Sequence, residues 1–236
     1  MATFEARVEG KTGLDIGSSG TTPIHDELTE FLKDSVLEIT NLYVSQRPND
    51  ASLFVITSSE STSQAGIAVN SGKVVSVVRE ANSDNDWRDA RPISPGQQSR
   101  VTDKNSLEYA SVFNPAYLIT EDGTISVFPA PSSGGSNSYK VYYITGEVKN
   151  ATDNVTLTYA HSDIASFPED LTHLVVLRAS IKCIEAKLSE QAIDEEDQEL
   201  VAALTPLLTS FKEDWQLFIG SLSPGKGGQQ EWKFKK

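Results

Sequence analysis

The sequence predicts an α+β protein, a helical bundle body built from both ends of the chain and interrupted by an antiparallel β-sandwich or barrel-like insertion. Three observations predict it. Helical periodicity governs residues 28–43, period-two runs and turn signals fill the middle of the chain, and helical periodicity returns after residue 166. Helices on both sides of an insertion must meet across it to share a core. The expected divisions are an extended N-terminal arm over 1–23, a helical body over 24–47 and 164–220, a β-rich insertion over 48–163, and a basic C-terminal arm over 221–236.

Taken in order, the first segment is rich in Gly, Ser and Thr, with Gly10, Gly13, Gly17 and Gly20 among isolated apolar residues, and reads as an arm. Pro23, Asp26 and Glu27 suit a helix start. Leu28, Phe31, Leu32, Ser35, Val36, Ile39, Leu42 and Tyr43 then share one stripe, which predicts an amphipathic helix ending near Gln46. Residues 52–57 have strand composition. Residues 66–78 read as a hairpin about Asn70, Ser71 and Gly72. A stronger hairpin spans 116–128, where Asp122 and Gly123 are expected to provide two positive-φ positions. Strands over 139–148 and 155–159 complete a set at the short spacing of a small sandwich or barrel. Residues 82–91 and 129–137 read as loops.

Ser166 and Glu169 have capping-box spacing, with Pro168 in the first turn. The helix that follows carries Leu171, Leu174, Val175, Leu177, Ala179, Ile181, Cys183, Ile184 and Leu188 around most of its circumference, so it is expected to be buried between partners. Asp194, Glu195, Glu196 and Asp197 read as the acidic start of a last helix, which Pro206 should kink or split. In the C-terminal arm Lys226, Lys233, Lys235 and Lys236 stand against Glu231, with Trp232 and Phe234 between them.

Composition narrows function. In 236 residues, 20 Lys and Arg stand against 33 Asp and Glu, a net charge of −13, which opposes any extensive grip on nucleic-acid phosphates. A single cysteine excludes an intramolecular disulfide, and no run of about eighteen apolar residues offers a membrane span. The N-terminus lacks a signal-peptide pattern, so an aqueous cytosolic setting is expected and the glycosylation patterns at Asn150 and Asn154 read as coincidental.

Chemical motifs fail in turn. His25, His161 and His173 have no second ligand at metal-binding spacing, and His161 with Asp163 lacks a nucleophile elbow. An EF-hand reading of the 82–86 loop puts Trp87 where glycine is required. The Gly17 to Thr22 loop lacks the phosphate-binding lysine. The sequence therefore points to no enzyme, no cofactor and no metal.

The layout nevertheless resembles the head-to-tail adaptor (connector) proteins of tailed bacteriophages, including the tail-tube adaptors of short-tailed phages. The residues that carry the resemblance are the strand-like 155–159, Phe167, Pro168, Glu169 and Asp170 before the apolar run 171–182, and the acidic restart at 194–199. Residues 109–118 and 127–131 are also similar to virion proteins of this general kind. The resemblance implies a noncatalytic structural protein at the head-tail junction of a virion, made in the host cytoplasm. It implies self-association into a ring of about twelve copies with interlocking termini. Portal protein and a tail or nozzle protein are the implied neighbours, and DNA passes through the acidic lumen without specific binding. On this reading Pro224, Lys226, Trp232, Lys233, Phe234, Lys235 and Lys236 form a portal-docking arm, and the loops at Asp86, Trp87, Ser132 and Gly134 face the tail. The apolar helix of 171–188 would be completed by neighbouring subunits. Two other readings stand beside it. One is a neck or baseplate component. The other is a receptor- or carbohydrate-binding β module on a helical stalk, with Trp87, Tyr109 and Tyr117 as stacking residues.

Overall fold

The computed structural model describes residues 2–20, 22–70, 72–81, 86–131, 137–194 and 198–222. The chain divides into two compact units, one built from Met1–Leu53 with Val148–Lys236 and the other from Phe54–Glu147. The β-rich insertion is therefore shorter at both ends than the expected 48–163.

The helical unit begins with a correction. Residues 1–23 are not an extended arm, because Phe4–Thr12 forms helix α1. Thr3 caps it by accepting from the Ala6 N–H at 3.2 Å, and Gly13 closes it at φ 70° with its N–H donating to the Glu9 carbonyl. Two amides at its start also find partners far along the chain: Phe4 N–H donates to His161 O at 2.8 Å and Glu5 N–H to Tyr159 O at 3.1 Å. Phe4, Val8 and Thr12, four residues apart, face inward, and Phe4 and Val8 are fully buried. Burying such side chains stabilises by about 1.5–3 kcal/mol each, more than the roughly 1 kcal/mol that Gly10 costs within the helix.

Helix α2, His25–Gln46, follows the expected stripe, burying Leu28, Leu32, Val36 and Ile39, while the Glu27 carboxylate accepts from the Ile24 N–H at 3.0 Å. The central helix, designated α4 because a short helix precedes it in the β unit, spans Thr172–Asp194, and α5 spans Gln198–Leu222. Arg178 bonds Glu38 at 2.8 Å and Lys182 bonds Asp34 at 3.3 Å, which sets α2 antiparallel to α4. Arg178 also lies 5.3 Å from the Trp215 ring centre and Lys212 pairs with Glu185 at 2.8 Å, which sets α5 antiparallel to α4. The near-circumferential apolar surface of α4 is thus covered by α1, α2 and α5 of the same chain, and Val175, Ala179, Ile181, Cys183 and Ile184 are fully buried. Neighbouring subunits are not needed to complete it.

Three local expectations in this unit also fail. No strand forms over 155–159: a single bridge joins Lys149 to Thr156, and Leu157 packs into the helical core. Ser166 lies at φ 52° rather than in a capping conformation, and a 3-10 turn over Glu169–Leu171 after Pro168 leads into α4. Asp194 ends α4 rather than opening α5, and α5 runs unsplit through Pro206. Pro206 is exposed, so the carbonyl one turn back loses its helical donor on a solvated face.

The second unit holds strands β1 (Ile56–Thr57), β2 (Ile67–Ala68), β3 (Lys73–Glu80), β4 (Trp87–Asp89), β5 (Arg91–Pro92), the short helix α3 (Gln98–Thr102), and β6 (Ala116–Ile119), β7 (Thr124–Phe128) and β8 (Tyr139–Ile144). They form two four-stranded sheets, β1-β8-β3-β4 and β2-β7-β6-β5. Val77, Tyr139 and Val141 of the first sheet share one core with Ile67, Tyr117, Ile125 and Val127 of the second, a two-layer sandwich rather than a closed barrel. The pairing is antiparallel except between β5 and β6. Ala116, Leu118 and Phe128, on the reverse face of the second sheet, pack with Ile93, Val101 and Ala110, so that sheet is covered on both sides.

The expected hairpin at 70–72 is a corner between layers. β2 pairs with β7 and β3 with β8, and the backbone crowds so closely that a Cβ on Gly72 would lie 2.8 Å from Val69 O and 2.9 Å from Ile144 O. The 116–128 hairpin does form, with Gly123 alone at positive φ (77°). Its longer loop needs one left-handed residue, not two. Of residues 52–57, the first three end a 3-10 turn, Pro48–Phe54, and only Ile56–Thr57 form the two-residue β1.

Candidate interaction surfaces

Of the residues singled out for docking, Asp86 and Trp87 can be placed; Ser132, Gly134 and the arm residues Pro224, Lys226, Trp232, Lys233, Phe234, Lys235 and Lys236 lie outside the described residues. Trp87 is not a loop tip. It opens edge strand β4 opposite Glu80, and the Lys140 ammonium lies 4.0 Å from its ring centre. Asp86 accepts from Arg88 at 2.9 Å on an exposed surface, a pairing worth at most about 1 kcal/mol. Tyr117 faces the sandwich core, so the stacking trio of the carbohydrate reading does not share one surface.

The sandwich does present an apolar surface that sequence patterning missed. Between α3 and β6, Leu107 is fully exposed and Phe113 is 60% exposed. Their loop is tied down: Ala110 N–H donates to Val101 O at 2.9 Å, Tyr109 N–H to Ser106 O at 3.1 Å, Asn114 N–H to Ser111 O at 3.1 Å, and the Arg91 guanidinium donates to Glu108 O. Isolated apolar residues in a polar run carry no periodic signal. Only the fold shows which of them, like Ala110, turn inward.

The layers behind that loop are locked by two buried polar groups. Tyr139 of β8 accepts at its hydroxyl from Gly66 N–H (2.9 Å) and Ile67 N–H (3.2 Å) and donates to Ile125 O at 3.0 Å, joining one sheet to the other, and burial pushes its phenol pKa up. Arg79, 2% exposed, donates from Nε to Pro129 O at 3.0 Å and from a terminal nitrogen to Glu80 O at 2.6 Å. Burial lowers its pKa, opposed by the neighbouring Glu80 charge.

In the helical unit a cleft of about 830 Å³ opens where the chain enters α4. Ile164 and Phe167 give it apolar wall, Asp163, Glu169 and Asp170 bring carboxylates, and Arg7 of α1 adds one positive charge. Among the described residues, His161 and Asp163 bond to different partners. His161 Nδ1 accepts from Thr158 N–H at 2.9 Å, whereas Asp163 accepts from Ala151 N–H at 3.1 Å and Thr152 Oγ1 at 2.8 Å. His173 Nδ1 meets Asp170 O at 2.6 Å. His25 pairs with Glu5 at 2.7 Å and stacks on Tyr159 with ring centres 3.9 Å apart. Cys183 is buried in the core, which pushes its thiol up to about 12, far from a reactive thiolate.

Among the described residues, no group of three or more His, Cys, Asp or Glu could hold a metal ion, and no helix is long and apolar enough to cross a membrane. No protein-family model matches the chain, and no curated protein matches its sequence.

Proposed function

We propose that this chain is a noncatalytic structural protein of a tailed-phage virion, forming an adaptor ring of about twelve copies between portal and tail. The observation that carries the reading is the division of the chain: one helical unit drawn from both termini, with a β-sandwich unit inserted between residues 54 and 147. That is the layout of the adaptors the sequence resembles. The net charge of −13 suits a ring through which DNA passes without adhering.

The self-contained helical core changes where ring contacts should be sought. Since α4 is covered within one chain, contacts between copies fall on surface features, and the held loop bearing Leu107 and Phe113 is the leading apolar one. The C-terminal segment with Lys226, Trp232 and Phe234 remains the proposed portal contact. The test is the mass of the purified chain by light scattering, with and without a portal ring, followed by negative-stain imaging. A ring of about twelve copies capping the portal is expected. A stable trimer, or a monomer indifferent to the portal, would overturn the proposal.

A further inference from the structure

We propose that the cleft at the start of α4 is a docking site for the chain's own C-terminal segment, residues 223–236, in the free protein. Three observations converge on that occupant. The first is charge: the cleft brings Asp163, Glu169 and Asp170 against a single Arg7, while the segment brings Lys226, Lys233, Lys235 and Lys236 against a single Glu231. The second is side-chain chemistry: Ile164 and Phe167 offer apolar wall to the segment's Trp232 and Phe234.

The third is position. The antiparallel pairings Arg178 with Trp215 and Glu185 with Lys212 bring the end of α5 level with the start of α4, and Arg47 at the end of α2 donates to Ser221 O at 3.1 Å. Helix α1 borders both regions, for Arg7 lines the cleft while Lys11 lies 5.9 Å from the Phe211 ring centre on α5. Packed helices lie about 8–10 Å apart. Twelve residues, such as 223–234, can span at most about 40 Å at roughly 3.5 Å per residue, several times that spacing, so the length of chain between Leu222 and Phe234 is sufficient to bridge neighbouring helices.

The consequence is a competition. A partner that takes up the arm must first displace it from the cleft, so a free copy keeps its aromatic anchors covered. Because the test uses the isolated chain, its outcome is independent of the virion reading.

Amide hydrogen exchange over residues 162–173 is compared in the parent chain and in W232A/F234A, with melting temperatures checked to be equal. The parent is expected to exchange about tenfold more slowly or better over that segment, at all protein concentrations, with the protection weakened in about 0.5 M salt. Equal exchange in the two chains would overturn the proposal. Protection that grows with protein concentration would also overturn it, since the occupant would then be the arm of another copy.

Discussion

Replacing Phe4 by alanine tests whether the N-terminal segment belongs to the core. Phe4 is completely buried, its ring packs with Val8 and residues of α2 and α4 in one cluster, and its amide is tied to His161 O. Truncating a buried phenylalanine costs about 3–5 kcal/mol, because lost transfer energy and the residual cavity add. With a urea dependence of about 2 kcal/mol/M, that loss lowers the unfolding midpoint by roughly 1.5–2.5 M. The assay is urea unfolding followed by helix circular dichroism and by Trp215 emission in a W87F/W232F background. Trp215 is only 5% exposed and sits in the same core. A loss below about 0.5 kcal/mol, the range of exposed positions, would refute the placement of α1 and restore the extended arm.

Tyr139→Phe should destabilise the sandwich by about 2–3 kcal/mol, since it strands the Gly66 and Ile67 N–H groups and the Ile125 carbonyl; Trp87 emission during urea unfolding measures it. Gly123→Ala should cost about 2 kcal/mol or more by the same assay, because φ is 77° and the new Cβ would lie 2.7 Å from Asn70 O. For Cys183 the folded pKa is raised, so the folded state favours the neutral thiol. Its contribution is complete below about 8.5 and is lost as pH rises toward about 12, at about 1.4 kcal/mol per pH unit. The difference in unfolding free energy between the parent and Cys183→Ala, measured across that window, should therefore shrink as pH rises, and a flat difference would contradict the thiol's burial.

How much of this was legible in the sequence depended on the range of the interactions involved. Helix α2 was readable because its stripe of Leu28, Leu32, Val36 and Ile39 is a local repeat, and the β6-β7 hairpin because Gly123 marks its own turn. Helix α1 was not, since Gly10 within it and the glycines that follow argue against a helix locally while its partners, Tyr159 and His161, lie far along the chain. The turn at Gly72 was visible, but which strands it joined was decided by β7 and β8, supplied much later in sequence. The run 155–159 has strand composition but pairs as an isolated bridge, Thr156 with Lys149, and Leu157 serves the helical core. The candidate surfaces divided in the same way. Trp87 looked like a loop residue until pairing with Glu80 put it in an edge strand. The cleft joins Arg7 to residues near 163 and 170, a juxtaposition that spacing alone does not reveal.

The most direct test of the adaptor reading is a cryo-EM reconstruction of an intact phage particle containing this chain. The account predicts a ring of about twelve copies between portal and tail, with residues 223–236 reaching the portal. Finding the chain as trimers on the outer surface of the particle, or absent from the head-tail junction, would contradict it.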